Sequence, residues 1–205
     1  MADTLVKFCG CTAWNDVLLA IDSGADAFGM IFAPSPRRIE WANAVEISGH
    51  RLDAIAPVAV FVDPERDEVE RVRNILPNAW LQFSGNEPPE FVALFGERAI
   101  KAIHIGDRDE ALEERALGFP RALLLFDTHD RERAGGTGRV FEWPRVAALA
   151  SRRQVIVAGG LTPDNVADCV RELRPYGVDV RSGVESGGQK DARKMQAFVR
   201  AVRAA

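Results

Sequence analysis

The stretch Val155-Ile-Val-Ala-Gly-Gly-Leu-Thr-Pro-Asp-Asn165 runs from an apolar segment through a glycine turn into a helix start. Four apolar residues in a row predict a strand that is buried on both faces. Thr162 suits the N-cap of the following helix, and Pro163 suits its first position. This strand–turn–helix order is the unit from which parallel sheets are built, and it predicts an α/β protein.

The same unit recurs along the chain. Eight short apolar runs predict strands, and longer amphipathic segments between them predict helices. Since eight units in 205 residues suit the smallest closed barrel, we expect a single-domain (β/α)8 TIM barrel over residues 1–205. An open doubly wound sheet is the alternative. The predicted strands are Thr4–Cys9, Ala27–Phe32, Pro57–Val62, Ala79–Gln82, Ala99–Ile103, Ala122–Phe126, Gln154–Ala158 and Gly177–Val180, and the predicted helices include Thr12–Ser23, Trp41–Leu52, Glu65–Leu76, Pro163–Arg174 and Asp191–Val202.

Composition restricts the compartment and the partners. A net charge of −4 argues against a general nucleic-acid binder. No apolar run is long enough to span a membrane, and the N-terminus lacks the features of a signal peptide. Three cysteines without a secretion signal indicate free thiols in a reducing cytoplasm. The predicted helices show no unmistakable apolar patch on their outer faces, which fits a monomer or a homodimer.

Two glycine-containing turns predict a phosphate site. Gly159 and Gly160 follow the seventh predicted strand, and Ser182 and Gly183 follow the eighth. Glycine lets the backbone approach a ligand closely, and the N-terminus of a helix favours an anion. A phosphate held between the loops after strands seven and eight recurs in (β/α)8 barrels. We therefore expect a phosphorylated small molecule as the substrate.

Two strand ends carry candidate acid–base groups. Cys9 ends the first predicted strand, and alternation directs Lys7 and Cys9 toward the barrel axis if Val6 and Phe8 face the helices. An ammonium group near a thiol favours the thiolate, which can accept a proton. Asp127 follows four apolar residues of the sixth strand, where partial burial would raise its pKa and let it act as an acid. The alternatives are a small buried hydrophobe for the cysteine and a turn starter for the aspartate.

Other polar residues follow the strands as well. Arg37 and Arg38 come after the second strand, where a guanidinium group could bind a carboxylate; two successive arginines point apart, so we expect at most one to face the site. Cys9 and Cys11 raise the question of a metal, but the His/Cys spacing of a zinc site is absent and we expect none. The long, glycine-rich loop after Asp127 would lie on the C-terminal rim.

A set of motifs in order gives the chain a resemblance to the phosphoribosylanthranilate isomerase family of tryptophan biosynthesis. The resemblance runs from Val6 to the last helix, and it implies a (β/α)8 barrel that needs no cofactor. The motifs are Lys7-Phe-Cys-Gly-Cys-Thr12, Gly29-Met-Ile-Phe-Ala-Pro-Ser-Pro-Arg37, Val60-Phe-Val62, Leu81-Gln82, Asp127 with Gly135-Gly-Thr-Gly138, Ala158-Gly-Gly-Leu-Thr-Pro-Asp-Asn165 and Val178-Asp-Val-Arg-Ser-Gly-Val-Glu185.

The resemblance also implies roles for individual residues. The family converts N-(5-phosphoribosyl)anthranilate to 1-(2-carboxyphenylamino)-1-deoxyribulose 5-phosphate by an Amadori rearrangement. Asp127 would protonate the ribose ring oxygen, Cys9 would remove the proton from C2, and Arg37 would hold the anthranilate carboxylate. The residues that would complete the site are Gly160, Ser182 and Gly183 at the phosphate, and Lys7 and Asp179 as supporting groups.

Two positions depart from the pattern of the family. Ser84 replaces a histidine, and Arg181 replaces the first of two serines. Two other readings stay open. One is a related barrel such as indole-glycerol-phosphate synthase or the tryptophan synthase α subunit, although the synthase would need a catalytic lysine at the barrel mouth. The other is a non-catalytic phosphate-binding barrel, against which the presence of both an acid and a base candidate counts.

Overall fold

A computed structural model describes residues 4–105, 112–127 and 144–205, and in it eight parallel strands close into one barrel. The strands are β1 (Leu5–Cys9), β2 (Ala27–Ile31), β3 (Ala56–Phe61), β4 (Trp80–Phe83), β5 (Ala99–His104), β6 (Leu123–Asp127), β7 (Val155–Ala158) and β8 (Gly177–Val180). Each strand pairs with the next along the chain, and the pairing of β1 with β8 closes the ring. The (β/α)8 prediction is therefore confirmed, and the open sheet is excluded.

Helices surround this barrel. They are α1 (Trp14–Asp22), α2 (Trp41–Ser48), α3 (Arg66–Ile75), α4 (Pro89–Ala93), α5 (Leu112–Leu117), α6 (Pro144–Ala150), α7 (Val166–Leu173) and α8 (Ala192–Arg203). A short hairpin of β9 (Glu185–Ser186) and β10 (Gln189–Lys190) lies between β8 and α8. No helix within the described ranges has the length and apolar character needed to cross a bilayer.

The predicted strand ends agree with the observed ones to within one residue, whereas three helix boundaries differ by two residues or more. Helix α1 begins at Trp14, two residues after the predicted start. Helix α2 ends at Ser48 and not at Leu52, because the His50 N–H donates to the Ile47 carbonyl, three residues back, and leaves the α-helical ladder. Helix α7 begins at Val166, three residues after the predicted start.

A separate turn explains the late start of α7. Residues 162–165 form this turn, and the Asn165 side chain fastens it by accepting a hydrogen bond from the Thr162 N–H at 2.8 Å and donating one to the Gly160 carbonyl at 3.0 Å. Asn165, and not Thr162, therefore holds the N-cap position of α7.

The core has two layers, as strand alternation requires. Val6 and Phe8 belong to the outer layer between strands and helices, where Phe8 meets Phe198 of α8 with ring centroids 6.0 Å apart. Burying a side chain of this size contributes about 1.5–3 kcal/mol. Cys9 lies in the inner layer around the barrel axis, together with Ile31 and other aliphatic residues. The alternation predicted for β1 is thus confirmed, and it directs Lys7 and Cys9 inward.

Candidate active site

Lys7, Cys9 and Asp179 form a buried cluster inside the barrel. Cys9 is the last residue of β1 and is 7% exposed, while Lys7 is 1% exposed. The Lys7 ammonium donates a hydrogen bond to Asp179 Oδ1 at 2.9 Å, because β1 and β8 place these two residues opposite each other in register. The Lys7 ammonium also lies close to the Cys9 thiol, since both groups flank Gly29. The two residues expected to support Cys9 therefore lie beside it.

The ionisation of Cys9 differs from the sequence expectation. Burial raises the pKa of the Cys9 thiol, and this effect outweighs the opposing pull of the Lys7 and Lys190 ammonium groups. Burial alone would lower the pKa of Lys7, but the charge of Asp179 and the interaction with Cys9 raise it overall. Lys7 is thus a stable cation beside a largely protonated thiol. Its charge limits the rise in the pKa of Cys9 but does not bring that pKa below its ordinary value.

Gly29 makes room for this cluster. It is the register partner of Cys9 on β2, and a Cβ atom built on it would lie 3.1 Å from both Cys9 Sγ and Lys7 Nζ. Contacts this short would push both groups aside by a few tenths of an ångström. Gly29 stands in one of the family motifs, but its role depends on the register of β1 against β2, which the sequence does not give.

Asp127 occupies a second position on the C-terminal rim. It is the last residue of β6, is half-buried, and pairs in register with His104 of β5 and Ala158 of β7. Its inner-face neighbour Leu125 belongs to the inner core, so alternation directs Asp127 to the barrel mouth. The long loop that was expected on the C-terminal rim, residues 128–143 with the Gly135–Gly138 motif, lies outside the described residues.

Arg37 faces the site, whereas Arg38 is exposed, so the two arginines point apart as expected. The Arg37 guanidinium, 18% exposed, lies with Nη2 at 3.1 Å from Glu185 Oε2. The pair is close, but its alignment is too poor for a hydrogen bond, and the buried Nη2 is left without an aligned acceptor. A buried donor without a partner is costly, so this atom favours the approach of an anion.

Lys190 joins the rim hairpin to the end of β1. Its ammonium, almost wholly buried, donates to the Cys9 carbonyl at 2.6 Å, to Glu185 Oε1 at 3.0 Å and to the Arg181 carbonyl at 3.4 Å. Three acceptors satisfy the three donors of an ammonium group. Glu185 therefore links Lys190 to Arg37. Neither contact could be predicted, since strands of two residues carry no periodicity; Glu185 stood in a quoted motif without a role, and Lys190 stood in none.

The predicted phosphate-binding residues lie on two adjacent turns. Gly159 and Gly160 follow β7 with φ angles of +92° and +63°, and Ser182 begins a short 3-10 turn after β8. A Cβ atom on Gly183 would lie only 1.9 Å from the Leu161 carbonyl oxygen, so glycine alone allows the turns to approach this closely. The first N–H groups of a helical turn have no acceptor within the turn and can serve an anion.

Cys11 faces away from Cys9. It lies in the outer core and its thiol contacts the Phe8 carbonyl at 3.8 Å, while burial raises its pKa to about 12. Among residues 4–105, 112–127 and 144–205, no group of three metal-ligating side chains comes together. Alternation alone would keep Cys9 and Cys11 on one face, but the chain turns at Gly10 (φ +78°), so of these two thiols only that of Cys9 lies in the inner layer.

The chemistry available at this rim is proton transfer. A thiol and a carboxyl group end two inner-facing strands, and anion-binding groups flank them on β2, β7 and β8. General acid and base groups between two anchors suit the isomerisation of a phosphorylated sugar derivative. Fold and site together fit a barrel isomerase, a class of enzyme whose chemistry consists of proton transfers.

The chain belongs to the N-(5'-phosphoribosyl)anthranilate isomerase family, whose model matches residues 6–201. It is 43% identical over 202 residues to the N-(5'-phosphoribosyl)anthranilate isomerase of Desulforudis audaxviator, covering 98% of this chain and 99% of that one. The crystal structure of phosphoribosyl anthranilate isomerase from Thermotoga maritima matches with a TM-score of 0.89 at 35% identity, over 98% of this chain and 100% of the other.

A further solved structure bears on the ligand. It is a phosphoribosyl anthranilate isomerase in complex with reduced 1-(o-carboxyphenylamino)-1-deoxyribulose 5-phosphate, with a TM-score of 0.85, 32% identity, and coverage of 98% of this chain and all of that one. The resemblance found in the sequence motifs is therefore confirmed, and the protein is an isomerase of the tryptophan pathway.

Proposed function

We propose that this protein converts N-(5'-phosphoribosyl)anthranilate to 1-(2-carboxyphenylamino)-1-deoxyribulose 5-phosphate, with Asp127 as the acid and Cys9 as the base. One observation carries the assignment of roles: in a chain of this family, Cys9 and Asp127 end inner-facing strands β1 and β6 on the same rim of the barrel. Catalytic groups of (β/α)8 enzymes lie on this rim.

The reaction needs two proton transfers in sequence. Asp127 gives a proton to the ribose ring oxygen, the C1–oxygen bond breaks, and the anthranilate nitrogen supplies the electron pair that forms a Schiff base. Cys9 then takes the proton from C2, and the electron pair released there moves into the C1–C2 bond to form an enolamine. Tautomerisation of the enolamine to the ketone completes the rearrangement. Each proton transfer contributes about 10²–10⁴-fold to the rate.

Two anchors hold the substrate between these groups. The backbone at Gly159, Gly160, Ser182 and Gly183 takes the phosphate, because two turns meet there and present N–H groups to an anion. Arg37 takes the anthranilate carboxylate, since its buried Nη2 has no aligned acceptor. Fixing both ends of the substrate places the sugar over Cys9 and Asp127, and positioning of this kind can contribute more than either proton transfer.

Lys7 and Asp179 act on Cys9 and do not touch the substrate. The Lys7 ammonium stabilises the thiolate in the low-dielectric interior, and Asp179 keeps Lys7 charged. The three cysteines are free thiols, which fits a cytoplasmic enzyme. We expect a monomer or a homodimer; a Thermotoga maritima member of the family is described as dimeric.

Turnover by the purified protein tests the proposal. We expect the fluorescence of phosphoribosylanthranilate to fall at a rate proportional to enzyme concentration, and the product, an isomer of equal mass, to be identified by its chromatographic separation from the substrate and by reduction of its ketone with borohydride. A rate equal to that of the enzyme-free solution would refute the isomerase assignment. Binding of inorganic phosphate without turnover would favour the non-catalytic phosphate-binding barrel.

Replacement of Arg37 by alanine should weaken substrate binding. A hydrogen bond to a charged group contributes about 1.5–3 kcal/mol, so Arg37→Ala should raise KM about 10- to 100-fold. The kcat should change much less, because the carboxylate lies away from the bonds that break. Steady-state kinetics measure both values. Arg38→Ala is the control, since Arg38 is exposed in the same loop; an equal rise in KM for both variants would contradict the anchor role.

A further inference from the structure

We propose that Arg181 is a second carboxylate-binding residue, which holds the aromatic carboxylate of the substrate together with Arg37. This inference rests on the proposed function and adds a specificity-determining residue to it. Family resemblance assigns no such role to this position, where serine is expected in place of arginine.

The side chain of Arg181 extends toward Arg37. Arg181 follows β8 and is exposed, and alternation from the inward-facing Asp179 places it on the inner side of the rim. A Cβ atom built on Gly10 would lie 3.4 Å from Arg181 Cγ, 3.5 Å from Arg181 Cδ and 3.4 Å from Arg37 Cβ. The two arginine side chains therefore lie over the same glycine, just beyond the end of β1.

This direction leads away from the phosphate turns. In the barrel β8 lies between β7 and β1, and the turn with Gly159 and Gly160 follows β7. An arginine that served the phosphate would extend from β8 toward β7. Arg181 instead crosses the end of β1 toward the loop that carries Arg37. Its position therefore fits the carboxylate end of the substrate.

The charges at this part of the rim leave Arg181 available. Arg37 lies against Glu185, and Lys190 is satisfied by three acceptors. The Arg181 side chain makes no hydrogen bond or ion pair with any residue in the described part of the chain, although its carbonyl accepts from Lys190. Since the single carboxylate of Glu185 is shared between Arg37 and Lys190, positive charge is in excess at this part of the rim, and Arg181 adds to it.

A carboxylate can accept hydrogen bonds from two guanidinium groups at once. Its two oxygens have about four acceptor positions, and each guanidinium presents donors in a planar fork. The unaligned Nη2 of Arg37 supplies one donor at this place, and the unpaired head of Arg181 supplies others. Arg181 thus stabilises the bound aryl carboxylate at the end of the substrate opposite the phosphate.

Replacement of Arg181 by serine tests the inference with two competing ligands. We expect Arg181→Ser to raise KM for phosphoribosylanthranilate about tenfold or more, because a charge-assisted hydrogen bond is lost. The inhibition constant of anthranilate should rise by a similar factor, while that of inorganic phosphate should stay unchanged. Arg181→Lys should recover part of the loss, since it keeps the charge without the fork. Arg38→Ser, which removes an exposed charge from the same rim, should leave all three constants unchanged.

Failure of the Arg181 inference and failure of the proposed function give different results. Unchanged constants for Arg181→Ser would overturn the inference, and so would a rise in the phosphate constant without a rise in the anthranilate constant. Absence of turnover in the unsubstituted enzyme would instead refute the proposed function. Calorimetric titration with anthranilate alone measures the Arg181 effect without turnover. Because Arg181 is exposed, its replacement should not impair folding, and thermal unfolding of each variant checks this.

Discussion

Replacement of Cys9 by alanine should lower kcat by about 10²–10⁴-fold with little change in KM, because a general base acts in the transition state and not in substrate binding. Cys9 lies in the inner layer at the end of β1, where its thiol faces the barrel mouth and not the helices. Steady-state kinetics on phosphoribosylanthranilate measure both values. A kcat close to that of the unsubstituted enzyme would remove Cys9 from the mechanism.

Cys169→Ala is the matched control. Cys169 is also a fully buried thiol, but it lies on α7 in the outer core. Both substitutions remove one sulfur atom from a packed site, so both should lower the thermal midpoint slightly. Only Cys9→Ala should abolish most of the turnover. Equal losses of kcat in the two variants would mean that packing, and not proton transfer, accounts for the effect.

The pH dependence provides a second test of Cys9. Since burial raises the pKa of this thiol, the reactive thiolate is a minor species near neutral pH and grows as pH rises. We therefore expect the residual kcat/KM of Asp127→Asn, which no longer depends on a protonated carboxyl group, to increase from pH 7 toward the alkaline side, and this increase to be absent from the variant that combines Asp127→Asn with Cys9→Ala. An increase that persists in the combined variant would assign it to another group.

Lys7 and Asp179 are poorer probes of the same chemistry. Both are buried and paired at 2.9 Å, and removal of one partner leaves an uncompensated charge that destabilises by about 3–5 kcal/mol. A loss of activity in such variants would not separate catalysis from folding. Gly29 has a similar disadvantage, because a side chain there displaces both Lys7 and Cys9.

The sequence sufficed for the barrel because the strands are buried on both faces. Runs such as residues 155–158 consist of apolar residues alone, and a glycine turn or a polar strand end marks where each run stops. Cys9 and Asp127 could be predicted as site residues for the same reason, because each is a reactive side chain at the end of a buried strand. Helix ends were less accurate: the side chain of Asn165 organises a turn that delays α7, and such contacts have no periodic signal.

Contacts between distant segments could not be predicted. Lys190 reaches the carbonyl of Cys9 across 181 positions of sequence, and Glu185 contacts Arg37 only because the hairpin folds back over the rim. The ionisation of Cys9 could not be predicted either. Proximity of Lys7 in sequence suggested a lowered pKa, but the balance depends on burial, which opposes the ammonium and prevails.

Replacement of Asp127 by asparagine should lower kcat by about 10²–10⁴-fold, because the amide keeps the size of the side chain but has no acidic proton to give to the ring oxygen. Asp63→Asn is the control. Asp63 follows β3 and uses Oδ1 to accept from the Asn86 N–H, an interaction that an asparagine amide oxygen can also make. A similar loss in both variants would show that the effect does not belong to the acid.

Combining the two substitutions distinguishes an acid from a residue that only shapes the site. A catalyst accelerates ring opening and ring closure equally, so Asp127 cannot change the equilibrium amount of Schiff base. When Cys9→Ala makes removal of the C2 proton slow, the overall rate depends on that equilibrium and no longer on the speed of opening. The double variant should therefore turn over at about the rate of the slower single variant, as is usual for residues of one mechanism. A structural role for Asp127 would disturb both steps, and the two losses would then multiply.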